Sequence, residues 1–509
     1  MTATELPVPL LIARQAAATP DATAALGPEG ELTYRQLDQR ARAVARELAA
    51  AGAGPEDTVL VGVGRGTDWA VAVLGIWYSG AALLLADPAT PDERLRTLLA
   101  AAGTRYLVAA DHAAAAELQL RVATELFWAA TSGAETRVSD FEPVRPAPGA
   151  LAYVLFTSGS TGAPKPVAVG HPGLARQARV LAEHYGLSGA DRVLQFAAPA
   201  FDVSLEEALP TWCTGGAAVF VADNMVSPGE LEPFLAGQRI SVVNLPTPYW
   251  AQWAKDVERR PRPLPAALRR VVIGSDAGRT ADLRRWYDAG GPPVISAYGL
   301  TESTITATCH EARADALDGD EVIPLGVPLP GVRAYVLDEE LSEAADGEAG
   351  ELYLGGACLA RGYHGRPAPT AERFVPDPFA GEPGQRMYRT GDRVRRSADG
   401  TLRFLGRADD QVKVRGHRVE LKEVEAAVGA LPDVVDVVAR AVTHLGEVQV
   451  AAYVAAAPGR APDPAALRRE LSARVPAHLV PAHLTVLPRL PRTPGGKLDP
   501  RALPEIAAG

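Results

Sequence analysis

The first two-thirds of the chain alternate helical spacing with short apolar runs. The segment LTYRQLDQRARAVARELAAAGA places apolar residues three and four positions apart and ends at glycine, which predicts a helix and its end. Continuous apolar runs such as DTVLVGV and SVVNLP predict buried strands. Because strands that alternate with helices build parallel sheets covered on both faces, we expect an α/β fold. Residues 103–149 are less regular than the segments around them.

From about Glu321 the pattern changes. The short runs VRAYVLDEE, GELYLGG and TLRFLGR, with Gly- and Asp-rich turns, predict a β-rich subdomain. After GRADDQVKVRGHRVE, two helical and two strand patterns predict a small α+β domain. We therefore predict a large N-terminal domain over residues 1–406 and a small C-terminal domain over residues 407–509.

Composition narrows the class of protein. A chain of 509 residues exceeds what one hydrophobic core supports, and its 47% hydrophobic and 22% charged residues are ordinary for a soluble protein. The net charge of -10 argues against a nucleic-acid-binding surface. The N-terminus does not resemble a signal peptide, and no apolar stretch of about 20 residues is present. We expect a cytoplasmic monomer that binds no nucleic acid and no membrane.

The stretch LFTSGSTGAPKPVAV combines glycines, hydroxyl residues and Lys165. It fails as a Walker-type loop, because Pro164 stands where the second glycine belongs and no Ser or Thr follows the lysine. Its backbone N–H groups and hydroxyls can still donate hydrogen bonds to phosphate oxygens. The stretch therefore predicts a phosphate site of another type.

Further segments follow this stretch in a fixed order: AYGLTEST, GELYLGGACLARGYHGRP, YRTGDRV, GRADDQVKVRGHRVE and LPRTPGGKLDPRAL. Together with TSGSTGAPK they resemble the signatures of the adenylate-forming superfamily, which includes acyl-CoA synthetases, luciferases and adenylation domains of nonribosomal peptide synthetases. The resemblance runs from about Leu32 to Leu503 and covers nearly the whole chain.

The resemblance implies that a substrate carboxylate attacks the α-phosphate of ATP, giving an acyl-adenylate and pyrophosphate. Positioning and stabilisation of phosphate charge dominate such chemistry. The phosphate stretch and Lys165 would hold the β- and γ-phosphates, Thr301 the α-phosphate, and Glu302 Mg²⁺, a hard cation suited to carboxylate oxygens. Lys497 would bridge the attacking carboxylate and the α-phosphate. The implied ATP contacts are Thr157, Ser158, Gly159, Ser160, Thr161, Gly162, Tyr298 at the adenine, and Asp392 and Arg407 at the ribose.

Asp409 matches the superfamily's hinge position. The small domain is expected to rotate there between adenylation and thioester formation, which would remove Lys497 from the site. The resemblance implies that the second step loads the phosphopantetheine thiol of a carrier protein. Because the chain stops just after GGKLDPRAL, we expect a free-standing enzyme or an excised domain that meets its carrier protein in trans.

The segment AFDVSLEEALP resembles the amino-acid-activating branch, in which the aspartate, here Asp202, receives the substrate α-ammonium. The neighbouring Glu206 favours a substrate with a cationic side chain, because two pocket carboxylates repel each other unless a second cation arrives. The pattern S-x-x-E at Ser204 and Glu207 predicts a capping box that leaves Glu206 facing the pocket. The implied pocket residues are Asp202, Val203, Glu206, Asn244, Val272, Gly274, Ala297, Ile305 and Thr306, with Lys497.

Two alternatives stay open at this point. One is an acyl- or aryl-CoA ligase that uses free coenzyme A, and Asp202 argues against it. The other is a catalytically inactive binding protein of the same fold. The joint presence of a set of charged residues argues against inactivity: Lys165, Glu302, Asp392, Arg407 and Lys497. The sequence leaves open which amino acid is activated, whether it is an α- or a β-amino acid, and which carrier protein receives it.

Overall fold

The structure is a computed structural model that describes residues 6–87, 89–132, 140–159, 162–221, 227–313, 321–409, 411–414, 416–444, 447–492 and 498–506. The chain forms two compact units. The first comprises Met1–Pro88, Leu99–Leu155 and Pro166–Ala408. The second comprises Ala89–Leu98, Phe156–Lys165 and Asp409–Gly509. Whether the units move relative to each other, as a hinge at Asp409 requires, stays a prediction.

Helices occur along most of the described chain. In chain order they are α1 (Val8–Ala18), α2 (Tyr34–Ala50), α3 (Thr67–Tyr78), α4 (Asp92–Ala102), α5 (His112–Val122), α6 (His171–His184), α7 (Val203–Thr214), α8 (Pro228–Gly237), α9 (Thr247–Arg259), α10 (Thr280–Asp288), α11 (Pro367–Arg373), α12 (Leu421–Gly429) and α13 (Pro464–Ser472).

One mixed sheet carries most of the predicted substrate pocket. Its strands, in spatial order, are β15 (Val327–Pro328), β14 (Thr308–Ala312), β13 (Val294–Tyr298), β12 (Arg270–Gly274), β11 (Val242–Pro246), β9 (Arg192–Gln195), β10 (Ala217–Phe220), β1 (Thr23–Gly27) and β2 (Gly30–Thr33). The central strands from β13 to β1 run parallel, whereas β14, β15 and β2 are antiparallel to their neighbours. The parallel strands are apolar on both faces because helices cover both.

A second sheet contains, in spatial order, β18 (Gly362–Tyr363), β8 (Lys165–Gly170), β7 (Leu151–Thr157), β4 (Ala82–Leu85), β3 (Thr58–Val61), β5 (Tyr106–Ala109) and β6 (Phe127–Ala130). Strands β7, β4, β3, β5 and β6 are parallel. Residues 106–130, which the sequence pattern left irregular, form β5, α5 and β6. The helix HAAAAELQLRV has an Ala-rich sequence with little apolar periodicity, which explains why the pattern did not indicate it.

The β-rich subdomain predicted after Glu321 is an antiparallel sheet of β16 (Val332–Leu337), β17 (Ala349–Gly356), β20 (Arg386–Arg396) and β19 (Phe374–Pro376), with β21 (Leu402–Arg407) paired to β20. The C-terminal part of the second unit contains the hairpin β22 (Gln411–Val414) and β23 (His417–Glu420). It also contains a sheet of β24 (Val434–His444), β25 (Glu447–Ala456) and β26 (His483–Leu487). The predicted α/β class, with a β-rich subdomain and a small α+β C-terminal part, is confirmed.

A large apolar core fixes α7 against the sheets of the first unit. Trp212 of α7 packs against Trp69 of α3, and its indole N–H donates to the Ala24 carbonyl at 2.9 Å. This packing holds α7 in place, including its first turn, which contains Glu206. Within the described ranges, no helix is long and apolar enough to cross a membrane.

Candidate active site

Predicted pocket residues lie on three neighbouring parallel strands. Asn244 on β11 pairs in register with Val272 on β12. Gly274, at the end of β12, approaches β13 so closely that an added Cβ would lie 3.1 Å from the Ala297 carbonyl oxygen. Because the carboxyl ends of parallel strands share one edge of the sheet, the strands gather these residues at a position where α/β proteins bind ligands.

The start of α7 differs from the predicted capping box. The helix begins at Val203 with Asp202 as its N-cap residue, so Ser204 lies inside the first turn. The Ser204 hydroxyl donates to the Phe201 carbonyl at 2.6 Å. The carboxylate of Glu207 instead accepts the backbone N–H groups of Phe196 and of the residue after it, each at 3.1 Å. The capping-box prediction was therefore wrong. Glu206 nevertheless has a separate set of partners from Glu207, namely Tyr185, Asn244 and Thr306.

The Glu206 carboxylate is buried and held by neutral side chains. Oε1 accepts hydrogen bonds from the Tyr185 hydroxyl at 2.8 Å and from Asn244 Nδ2 at 3.0 Å. Oε2 accepts from the Thr306 hydroxyl at 2.6 Å. Burial raises the pKa of this carboxyl from 4.5 to about 7, and the charge of Asp202 adds to the increase. The three donors oppose this shift without supplying a positive charge.

The second pocket carboxylate, Asp202, is also buried, with 8% of its surface exposed. Burial raises the pKa of its carboxyl from 3.8 to about 6, while a hydrogen bond with the Thr301 side chain acts in the opposite direction. Its Oδ2 atom has no hydrogen-bond partner among the described residues. The Tyr153 hydroxyl is likewise buried without such a partner, and the charges of Asp202, Glu206 and Glu302 all act on that phenol. Orphaned buried polar atoms of this kind are rare in folded proteins and call for a ligand or water.

The turn after β13 has a strained backbone. Thr304 and Ile305 are β-branched residues, yet their φ angles are 54° and 72°, in the left-handed region. Gly299 permits the turn, because a Cβ there would lie 1.8 Å from the Ile305 carbonyl oxygen. Strain of this type persists where the surroundings fix the conformation, and it often marks a functional site. Here the turn delivers the Thr306 hydroxyl to Glu206.

Glu302 lies in the same turn and is fully buried. Its Oε1 accepts a hydrogen bond from the Tyr363 hydroxyl at 3.1 Å. The hydrogen bond between Asp202 and Thr301 places the implied α-ammonium ligand beside the implied α-phosphate contact. The amino-acid and nucleotide parts of the predicted site therefore meet at this turn.

The implied ribose residues form one cluster. Asp392 Oδ1 accepts from Arg407 Nη1 at 2.5 Å, and Oδ2 accepts from the Tyr298 hydroxyl at 2.5 Å. The two strands that carry Asp392 and Arg407 pair directly at these residues. Since a carboxylate offers about four acceptor positions, Asp392 keeps acceptor capacity for ribose hydroxyls.

The described part of the phosphate stretch belongs to the second unit. At Gly159 an added Cβ would lie 1.6 Å from the Ala163 carbonyl oxygen, so a side chain does not fit. The Gly159 N–H donates to Glu423 Oε2 at 3.1 Å, and Arg94 donates to the other oxygen of that carboxylate at 2.6 Å. The loop N–H thus binds an anionic oxygen, which is the chemistry that a phosphate requires. The Thr157 hydroxyl is buried without a hydrogen-bond partner among the described residues.

The remaining predicted residues are placed as follows. The Ser158 hydroxyl donates to the Arg418 carbonyl at 2.7 Å, and Lys165 Nζ lies 3.8 Å from Glu420 Oε1. Gly162 has a φ of 83°, in the left-handed region that favours glycine. The Asp409 carboxylate accepts a hydrogen bond from the backbone N–H of Gln411 at 3.4 Å. Ser160, Thr161 and Lys497 lie outside the described residues.

Two contacts at the site involve tyrosines to which no sequence motif assigned a role. Tyr185 follows α6, where no motif singled it out, and its partner Glu206 is 21 positions away. Tyr363 lies within the quoted segment GELYLGGACLARGYHGRP, but the segment alone did not pair it with Glu302. Side-chain partners of this type depend on how distant elements pack.

Family comparisons agree with the geometry. The chain matches the family model of AMP-binding enzymes over residues 12–364 and that of the AMP-binding enzyme C-terminal domain over residues 423–497. The chain belongs to this family. The superfamily predicted from the motifs is therefore confirmed. The chain is therefore a member of a family of AMP-binding enzymes.

Alignments with curated relatives cover almost the whole length of this chain. It is 40% identical over 496 residues to phosphinothricin tripeptide synthetase PhsC of Streptomyces viridochromogenes, covering 96% of this chain and 44% of that protein. It is 38% identical over 483 residues to novobiocin biosynthesis protein H of Streptomyces niveus, covering 93% of this chain and 78% of that protein. The chain thus spans less than half of the length of the synthetase.

A solved structure shares the fold. NpsA-ThdA, an artificially fused adenylation–PCP di-domain from Klebsiella oxytoca, superposes with a TM-score of 0.84 at 24% identity, covering 95% of this chain and 94% of that one.

The buried Glu302 carboxylate suits Mg²⁺, which proteins commonly bind through one or two carboxylates together with substrate phosphates. The ion would supply charge neutralisation at those phosphates.

Proposed function

We propose that this AMP-binding enzyme activates an amino acid with a cationic side chain and transfers it to the phosphopantetheine thiol of a carrier protein. The observation that carries the proposal is the pair of buried carboxylates, Asp202 and Glu206, which lie four positions apart at the start of α7 and act on each other electrostatically. Among the described residues, neither forms an ion pair with a basic side chain, and Asp202 Oδ2 has no hydrogen-bond partner. Since a buried charge needs a partner, the substrate is the source of both positive charges.

Each carboxylate has its own part of the substrate. Asp202 lies beside Thr301, the implied α-phosphate contact, so its ligand is the ammonium group nearest the reacting carboxylate. Glu206 is bonded to Thr306 and Asn244, which lie on the turn after β13 and on β11, so its ligand is the distal end of the side chain. Ornithine, lysine and arginine carry charges at both ends and fit this arrangement.

Two steps follow from this assignment. In the first, a carboxylate oxygen of the amino acid attacks the α-phosphorus of ATP, and the bond to the β-phosphate oxygen breaks with release of pyrophosphate. In the second, the thiol sulfur attacks the activated carbonyl carbon, the thiol proton is lost, and AMP leaves. Asp392 and Arg407 would hold the ribose. The Gly159 N–H, on exchanging Glu423 for a phosphate oxygen, would bind the departing phosphates with Lys165.

Catalytic roles for Lys497 and for rotation at Asp409 belong to the same proposal. A lysine ammonium between the substrate carboxylate and the α-phosphate would reduce the repulsion between two anions as they approach. The carrier-protein partner is supported by the relative named as a tripeptide synthetase and by the fold shared with an adenylation–PCP protein.

The test is a panel of amino, aryl and fatty acids in hydroxylamine-trapped adenylation, followed by mass spectrometry of a holo carrier protein. We expect hydroxamate formation with ornithine, lysine or arginine and a matching mass increase on the carrier. Preference for a neutral amino acid that Glu206→Gln leaves unchanged would refute the cationic substrate. Aryl or fatty acid activation with transfer to free coenzyme A would refute the amino-acid ligase.

A further inference from the structure

The two carboxylate oxygens of Glu206 accept different numbers of hydrogen bonds. Oε1 accepts from Tyr185 at 2.8 Å and from Asn244 at 3.0 Å, whereas Oε2 accepts only from Thr306, at 2.6 Å, among the described residues. A carboxylate oxygen offers about two acceptor positions. Oε1 is therefore saturated, and a single position is left on Oε2.

We propose that Tyr185 is a positioning residue for Glu206. By filling the second acceptor position of Oε1, it makes the site prefer a substrate side chain that ends in a primary ammonium over one that ends in a guanidinium. The inference rests on the proposed function and narrows its substrate class. A guanidinium binds a carboxylate best as a bidentate fork, which needs one open acceptor position on each oxygen. An ammonium is a compact donor for which the one position on Oε2 is sufficient.

The phenol of Tyr185 is held firmly enough to act in this way. Its ring is 4% exposed and packs in an apolar cluster with Val272 and Ile295 of the pocket sheet. Its backbone N–H donates to the Leu181 carbonyl at 2.8 Å, and its own carbonyl accepts from Arg269 at 3.2 Å. Burial raises the pKa of the phenol well above its usual value, with the charge of Glu206 adding to the effect, so the hydroxyl remains a donor.

Asn244 reinforces the asymmetry from the other side. Its strand, β11, is central in the sheet and pairs in register with β12 from Val242 to Pro246. Its amide is therefore fixed by the strand, while the Tyr185 hydroxyl arrives from the end of α6. Rotation of the Glu206 carboxylate to expose Oε1 would break both bonds at once, and hydrogen bonds to a charged group are stronger than those between neutral groups.

The experiment compares the wild-type chain with Tyr185→Phe, which removes only the hydroxyl and opens one position on Oε1. ATP–pyrophosphate exchange would be measured with ornithine, lysine and arginine, and kcat and KM would be separated. We expect the wild type to prefer ornithine or lysine. In the variant, the ratio of kcat/KM for the ammonium substrate to that for arginine should fall at least about tenfold, mainly through KM.

Two further variants keep the result decisive. Tyr78→Phe removes a similar buried bond, from a phenol to Asp38 at 2.7 Å, and should leave the ratio unchanged. In the background of Glu206→Gln, the Tyr185→Phe effect on the ratio should disappear, because Tyr185 acts through the carboxylate. If Tyr185→Phe does not fold, Asn244→Ala frees the other position on Oε1 and should shift the ratio in the same direction.

The outcomes separate the two proposals. If the wild type activates ornithine or lysine but the ratio is unchanged in Tyr185→Phe and in Asn244→Ala, the role of Tyr185 is wrong and the cationic substrate stands. A wild type that already prefers arginine would also overturn the role of Tyr185 alone. If the wild type activates neutral amino acids only, both proposals fail.

Discussion

Glu206→Gln removes one charge from the buried pocket and leaves the shape of the side chain almost unchanged. The amide oxygen can accept from Tyr185 and Asn244, and the amide nitrogen can donate to the Thr306 hydroxyl, which accepts as well as donates. The network therefore survives the substitution, and we expect the variant to fold. What changes is the dependence of stability on pH.

The magnitude follows from the pKa of Glu206. Burial raises it from 4.5 to about 7, so the folded state binds this proton more tightly than the unfolded state. The wild type therefore loses stability as the pH rises from about 4.5 to about 7, and the loss is complete above that range. With 1.36 kcal/mol for each pKa unit, the loss is about 3 kcal/mol. Asp202 adds a similar loss that both proteins share.

Tryptophan fluorescence is a suitable assay, since every tryptophan of the chain lies in the first unit, which also contains Glu206. Urea unfolding of the wild type and of Glu206→Gln would be compared at pH 5 and pH 8, without amino acid or ATP. Because a part of the loss has already occurred at pH 5, we expect the free energy of unfolding of the variant, relative to the wild type, to increase by about 2.5 kcal/mol between these values.

The exposed Glu339 supplies a matched control, because Glu339→Gln removes an equal charge at the surface. Its stability relative to the wild type should be almost independent of pH. If the difference for Glu206→Gln is equally flat, or if the variant loses stability at high pH, a stabilising cation is already present at Glu206 and the reasoning behind the cationic substrate is refuted.

Three other substitutions test separate parts of the site. Asp202→Asn should lower kcat/KM for the amino acid at least about 30-fold, since about 2–5 kcal/mol is lost when a buried charge pair is broken. Equilibrium binding of ATP should stay within twofold of the wild type, and an equal loss of ATP binding would contradict the assignment. Gly159→Ala would place Cβ 1.6 Å from a carbonyl oxygen of its own loop, so KM for ATP should rise about tenfold or more, whereas Gly229→Ala, with open space around it, should have no such effect. Asp409→Pro should slow carrier loading more than pyrophosphate exchange, because a fixed φ obstructs rotation; equal loss of both steps would count against a hinge.

The motifs placed candidate site residues at the ends of strands and in the turns that follow them, because short segments with fixed chemistry mark those positions. Asn244, Val272 and Gly274 come together through strand register, which the alternating pattern of strands and helices already required. The orientation of Glu206 away from Glu207 was also predictable from their adjacent positions on a helix.

Other features depended on packing between distant segments. The S-x-x-E pattern at Ser204 and Glu207 satisfies a local rule, but the backbone N–H groups of Phe196 and its neighbour compete for the carboxylate and prevail. Tyr185 could not be assigned to Glu206 from sequence, since a hydroxyl at the end of a helix has many candidate partners. The Ala-rich α5 lacked the periodicity by which helices are usually predicted.

A competition experiment tests the proposed activation of a cationic amino acid. The chain would be incubated with ATP, Mg²⁺ and an equimolar mixture of all proteinogenic amino acids with ornithine, benzoate and a fatty acid, and the acyl-adenylate formed would be identified by mass spectrometry. We expect the dominant species to be the adenylate of ornithine or lysine. An adenylate of a neutral amino acid, of benzoate or of the fatty acid as the dominant species would contradict the proposal.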